Sequence, residues 1–332
     1  MKKRMDYIDL MKGIGIILVV AGHAASPFSD WIYSFHMGLF FWISGYTLAI
    51  KELPGFPDFL KKKIKTILVP YVGYGLVAIL FQMRERAHYN TSIQLPEYLL
   101  GLAKGGSGLD TVGNIPLWFL QLLFIAIIFF YAEVRFFPTY CIAIVGLLIS
   151  LGTLRYQEIF ISGSIFEINV LPCALVYMTI GYLSYKFLDE KKVKTSWGIV
   201  LLSIGWYLQL CYGGSQIRHI FTYWYYVYSV LQIIGIYFIC KNVKHISFIN
   251  KFGENSIYIL GMHGVLVAYA TLLMDYIFER IAFDSEIVKH LGITLALLIW
   301  SYAIGQVWIS INKGIKSKLL EQLKQTLFAK KE

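Results

Sequence analysis

KGIGIILVVAGH, residues 12–23, sets ten uncharged residues between a lysine and a histidine. Whether such a run sits in water or in lipid is settled by composition. Of the 332 residues 57% are hydrophobic and 17% aromatic against 15% charged, with a mean hydropathy of +0.61, whereas soluble domains are roughly 45–50% apolar. Apolar runs fill nearly the whole length, leaving no polar block large enough for a separate soluble domain. One integral membrane domain over residues 1–332 is the expected organisation. The basic start, MKKRMDYIDLMKG, leads into the run as a secretory signal does, but a signal precedes a polar mature chain. Here SFHMGLFFWISGYTLAI (34–50) follows as a second apolar segment, so the first helix is expected to remain.

With a window of about 19–20 residues, the hydropathy predicts an all-α bundle of about ten transmembrane helices. They fall near 10–28, 31–50, 65–83, 116–134, 138–153, 168–187, 197–212, 222–240, 256–276 and 288–312. Lys and Arg then orient them. The N-terminus and the segments after every second span hold 22 of the 30, the opposite segments hold seven, and Lys12 lies inside the first span. By the positive-inside rule both termini face the cytoplasm. The net charge of +10 is thus explained by topology and attraction to anionic membrane lipid, and no nucleic-acid partner is expected. Cys141, Cys173, Cys211 and Cys240 stand singly in apolar stretches and read as small core residues. No HExxH, carboxylate cluster or oxygen-rich loop suggests a metal. The long outer segment 84–115, rich in Gly, Ser, Asp and Asn in its second half, reads as a functional or disordered loop.

Lys12 and His23 are eleven residues apart, three helical turns plus roughly 20°, so they share one face about 16 Å apart. His23 then lies about 20 Å into a hydrocarbon core about 30 Å thick, nearer the outer side. Ionisable groups at that depth face a bundle interior, a water-filled cavity or a partner. Two roles fit His23: a neutral imidazole bonded to a carbonyl across helices, or a functional group. His36, five residues into the outer end of the second span, can line the same cavity, and Gly13, Gly15 and Gly22 permit close helix approach. Lys12 also fits a boundary residue that snorkels or pairs with Asp9 at i,i+3. His263, about seven residues into the ninth span, is intramembrane, whereas His88, His219, His245 and His290 read as surface residues. Asn114 and Trp118 open the fourth span and Glu167 with Asn169 the sixth, all on the outer side, where an aromatic such as Trp118 also suits an interfacial belt.

The stretches RMDYIDLMKGIGIILVVAGHAAS, IYSFHMGLFFWISGY, FLKKKIKTILVPY, PLWFLQLLF and NSIYILGMHG, in this order over residues 4 to 264, resemble the membrane acyltransferase 3 family. The stand-alone, fucose 4-O-acetylase-like branch is the nearest in character. The resemblance implies a ten-helix enzyme that moves an acyl group, usually acetyl from cytoplasmic acetyl-CoA, to a hydroxyl of a glycan or lipid-linked sugar at the outer face. Acetyl-CoA is then a co-substrate and no bound cofactor is implied. The family's basic residue, ten-residue gap and histidine fall on Lys12 and His23, and its Ser-Gly-Tyr on Ser44, Gly45 and Tyr46. Where the family has His-Met-Pro, this chain has His36, Met37 and Gly38.

On this reading the catalytic candidates are His23 as general base, Lys12 and His36. Those for the donor are Lys12, Lys62, Lys63, Lys65, Ser44, Tyr71 and His263, the lysines for phosphate charge. Those for the acceptor are Asn114, Trp118, Glu167 and Asn169. No hydrolase-like domain accompanies the span region, so direct transfer is expected, and the plasma (inner) membrane of a bacterium is the expected location. A multi-span transporter or exporter of a glycan precursor would also place His and Lys within the membrane, although no inverted repeat is visible. A non-catalytic member of a glycan-assembly complex is the third reading.

Overall fold

The computed structural model describes the backbone of residues 5–50, 52–88, 94–159, 163–281 and 285–328, and their side chains except for 87, 88 and 312–328. The regular elements among the described residues are helices, with no strand. In chain order the first are α1 (Asp6–His23), α2 (Ser29–Tyr33), α3 (His36–Ile50), α4 (Phe56–Lys63) and α5 (Val69–His88). Then come α6 (Leu95–Lys104), α7 (Leu109–Val112), α8 (Trp118–Phe136), α9 (Thr139–Arg155) and α10 (Leu171–Leu188). The last are α11 (Thr195–Tyr212), α12 (Tyr225–Val243), α13 (Ser247–Glu254), α14 (Ser256–Ile281) and α15 (Glu286–Phe328).

Helices occur at all ten positions where hydropathy predicts spans. Among the described residues six stretches are long and apolar enough to cross a membrane: Phe56–Arg86, Ile115–Phe136, Ile165–Leu188, Tyr225–Val243, Ser256–Ile281 and Glu286–Ile311. The other four fall short for chemical reasons. α1 has Asp6, Asp9 and Lys12 within 18 residues, α3 has 15 residues and α9 has 17. α11 dilutes its 18 residues with Ser, Gln, Trp and Tyr. Several apolar helices of spanning length make the chain a multi-pass integral membrane protein.

Prolines mark several boundaries. Pro116 and Pro172 sit in first turns, where their missing N–H removes no helical bond. Pro70 follows a π-helical turn, Ile64–Leu68, because its ring clashes with the carbonyl four residues back and the helix widens before it. α4, this turn and α5 therefore run on without a loop.

The segment expected as an irregular loop, 84–115, is largely helical where it is described. α5 extends to His88, and α6 and α7 follow with a 3-10 turn, Gly106–Gly108, between them. Tyr98, Leu102, Leu109 and Val112 are buried. Its glycines explain the misreading: Gly101 and Gly108 abut each other's carbonyls, leaving no room for a Cβ at either. A composition typical of solvent-facing chain here serves tight backbone packing.

α3 and α10 cross so closely that a Cβ on Gly45 would overlap the Met178 carbonyl and one on Gly181 the Trp42 carbonyl. Small residues at such crossings permit the close van der Waals approach on which membrane helices depend. Gly13 likewise abuts Ile249 of α13, and Gly22 abuts Tyr33. Cys173 and Cys240 are buried as expected, whereas Cys211 is exposed.

Candidate functional site

Three histidines from distant parts of the chain meet at one end of α1. His23 closes α1, His36 opens α3 and His263 is eight residues into α14. The rings of His23 and His263 are edge to face, with centroids 5.0 Å apart. Tyr33 stands between the other two, 6.1 Å from His23 and 5.3 Å from His36, and its hydroxyl donates to the Gly22 carbonyl at 2.8 Å.

The three imidazoles are held alike. Nδ1 of His23 lies 2.8 Å from the Val19 carbonyl oxygen, that of His36 2.8 Å from Ile32 and that of His263 3.0 Å from Ile259. A carbonyl oxygen only accepts, so in each neutral ring Nδ1 carries the proton and Nε2 presents a lone pair. The partner of His23 is thus a carbonyl of its own helix, four residues back, and its basic nitrogen is left for other work. His36 and His263 are buried, while His23 is half-buried.

Towards the other end of α1 lies a cavity of about 180 Å³. Lys12, Ser44 and Ser256 are polar groups in its wall, and Met37, Phe119 and Leu260 are among its apolar lining. Met37 adjoins His36 in the chain and Leu260 is one turn before His263. Lys12 makes the expected i,i+3 ion pair with Asp9 at 3.5 Å and still reaches the cavity. Ser44 donates to the Phe40 carbonyl at 2.8 Å. Tyr46, two residues on, points elsewhere, donating at 2.5 Å to Asp189. Ser44, Gly45 and Tyr46 therefore serve the cavity, the α3–α10 crossing and a polar cluster respectively.

The remaining donor candidates are more remote. Lys62 and Lys65 are exposed, and the Lys63 ammonium stands 5.3 Å over the Phe59 ring. Their segment contributes Ile67 to the cavity wall. Tyr71 is buried and donates to the Leu102 carbonyl at 2.5 Å, joining α5 to α6.

Two of the four acceptor candidates, Trp118 and Glu167, meet at a residue that the sequence presents only as one of seven outer-side charges, Arg218. It donates to Glu167 at 3.0 Å, its guanidinium stands 5.0 Å over the Trp118 ring and it is within electrostatic range of His23. Glu167 is fully buried and also accepts from the Gly163 N–H at 3.2 Å. Reaching this position forces Phe166 and Glu167 into left-handed backbone, φ 57° and 55°, at roughly 1–2 kcal/mol per residue. One face of Trp118 is thereby covered, and Glu167 is committed to Arg218. Burial and the neighbouring Arg218 hold His219 below its usual imidazole range, against the opposite pull of Glu167.

Asn114 is buried; its Nδ2 donates at 2.9 Å to the Gly261 carbonyl, and its Oδ1 has no hydrogen-bond partner. Asn169 is half-buried with its backbone N–H bonded to Ser164 Oγ at 3.2 Å. Of the histidines expected at the surface, His245 is exposed and His219 half-buried. His290 is half-buried and donates to the Ala24 carbonyl just past α1, and the His88 side chain lies outside the described residues. Tyr33 was detectable in the chain, three residues before His36 and so within one turn of it. Arg218 had no comparable signal, since its partners Glu167 and Trp118 are 51 and 100 residues away.

Removing the carboxylate of Glu167 strands a partly buried guanidinium. Glu167→Ala is expected to lower stability by about 3 kcal/mol, read as a reduced thermal unfolding midpoint in detergent, and an unchanged midpoint would show the pair to be energetically neutral.

Comparison with known proteins agrees with the resemblance read from the motifs. None of the curated proteins and none of the solved structures compared matches the chain. The family described as acyltransferase domain, acyltransferase 3, matches residues 5–311. A match of that extent covers α1 to the last described side chain of α15, including every histidine of the cluster, and the chain belongs to the acyltransferase 3 family.

Proposed function

We propose that this protein is an integral membrane O-acyltransferase that moves acetyl from cytoplasmic acetyl-CoA to a hydroxyl of a cell-surface or lipid-linked glycan, in a bacterial plasma membrane. The observation that carries this reading is the meeting of three base-presenting imidazoles from α1, α3 and α14 at one end of α1, while Lys12 nearer its other end is in the wall of a cavity shared by the same three helices. Lys12 meets phosphate of the donor, with the exposed Lys62 and Lys65 and the neighbouring Lys63 raising the local positive potential. The pantetheine arm enters past Ser44 and Ser256 between apolar walls.

The acceptor approaches from the opposite side, past Asn114, Asn169 and the Glu167–Arg218–Trp118 assembly. His23 Nε2 takes the hydroxyl proton as the oxygen attacks the thioester carbonyl, and the C–S bond breaks with its electron pair on sulfur. General-base assistance of this kind contributes about 10²–10⁴-fold. His36 closes the site beside Tyr33.

Transfer of labelled acetyl from acetyl-CoA to glycan in membranes carrying the protein tests the reading. A carrier or a non-catalytic assembly component would give none. Lys12→Ala is expected to raise KM for acetyl-CoA roughly tenfold or more, the scale of one charge-assisted hydrogen bond, with kcat little changed because such binding is equal in ground and transition states. An unchanged KM would remove Lys12 from the donor site.

A further inference from the structure

We propose that His263 is the general acid of the same reaction, receiving the proton from His23 and delivering it to the departing thiolate. The proposal rests on the acyltransferase reading above and divides the two proton transfers between two side chains.

The argument begins with an unfilled valence. Nδ1–H of His263 donates to the Ile259 carbonyl at 3.0 Å, which makes Nε2 the lone-pair nitrogen. That Nε2 is buried and has no hydrogen-bond partner, on a residue with no exposed surface. A buried acceptor left unmatched costs about 1–3 kcal/mol, so its retention calls for a reason. The ring of His23 lies against it, centroids 5.0 Å apart at 65°. A protonated His23 supplies what Nε2 lacks, a hydrogen to accept.

Position decides the direction of transfer. Leu260, one turn before His263 on α14, is in the wall of the Lys12 cavity, so His263 stands on the donor side of the cluster. Asn114 braces this turn of α14: its amide bonds the Gly261 carbonyl at 2.9 Å and its side chain fills the notch left by Gly264. On α1 the last residue in that wall is Ile16, seven before His23, so His23 stands farther from the donor.

The protons balance. The O–H bond of the acceptor breaks and its proton passes to His23 Nε2 as the oxygen–carbon bond forms. The proton moves to His263 Nε2 and His23 is neutral again. When the C–S bond breaks, the electron pair on sulfur takes the proton from His263, giving free thiol, ester and both histidines in their starting state. No oxidant, metal or further reactant enters.

A leaving group that needs no proton should make His263 dispensable. His263→Gln is therefore compared with wild type using acetyl-CoA and its selenoester analogue, whose selenolate is a much weaker base than the thiolate. The expected result is a fall in kcat of about 10²-fold with the thioester and less than about tenfold with the selenoester. Equal losses with both donors would overturn the proposal, as a merely structural role predicts. Wild type gives a second reading that needs no variant: the solvent deuterium isotope effect on kcat should be larger with the thioester than with the selenoester, and equal effects count against the proposal. Absence of transfer by wild type from either donor overturns the acyltransferase reading itself.

Discussion

His23→Ala is expected to lower acetyl transfer by about 10²–10⁴-fold, while the protein still inserts and elutes as a monodisperse species in detergent. The imidazole is half-buried at the end of α1, and its single hydrogen bond is to a carbonyl of its own helix, so deletion breaks no bond between helices. What is lost is a lone-pair nitrogen on the cluster's least buried imidazole. His23→Gln should be nearly as inactive, because an amide cannot take a proton at neutral pH. Initial rates with labelled acetyl-CoA, beside size-exclusion profiles, check both variants. Activity within tenfold of wild type would reassign the base, with His36 the next candidate.

Gly45→Val is expected to destabilise the protein by about 3 kcal/mol, the upper range for overpacking a filled contact. The new side chain would have to displace the Met178 carbonyl of α10, and backbone cannot yield as a flexible side chain can. Gly181→Val strikes the same crossing from the other side, against the Trp42 carbonyl. The two together should cost less than their sum, since the first already separates the helices. Gly73→Ala in α5 is the control: nothing lies within 4 Å of its Cβ position, and helix propensity favours Ala over Gly by roughly 1 kcal/mol. Thermal unfolding midpoints in one detergent order the series, and a Gly45→Val midpoint equal to wild type would show that α3 and α10 can part without penalty.

These two variants separate what the residue string shows from what the fold adds. The shared face of Lys12 and His23 follows from helical geometry alone, and the Asp9 pairing of Lys12 from i,i+3 spacing. Gly45, by contrast, reads in the chain as the middle of a Ser-Gly-Tyr motif, and its reason is a carbonyl 133 positions on. The segment 84–115 reads as a loop from its length and its Gly, Ser, Asp and Asn content, whereas Gly101 and Gly108 act in tight packing by having no side chain.

The sequence by itself determined that the chain lives in lipid, where its long apolar helices lie, and which ionisable groups fall within apolar runs and so call for a partner. Each is a local property, set by transfer free energy and the 3.6-residue repeat. Tertiary structure decided which of those groups meet. It brought His263 against His23 across 240 positions and buried Glu167 beneath Arg218. It also placed Lys12 and Ser44 in one cavity while leaving Tyr71 to join α5 to α6. Such contacts depend on how helices pack, through glycine notches, backbone carbonyls and unfilled hydrogen-bonding valences that hydropathy does not register.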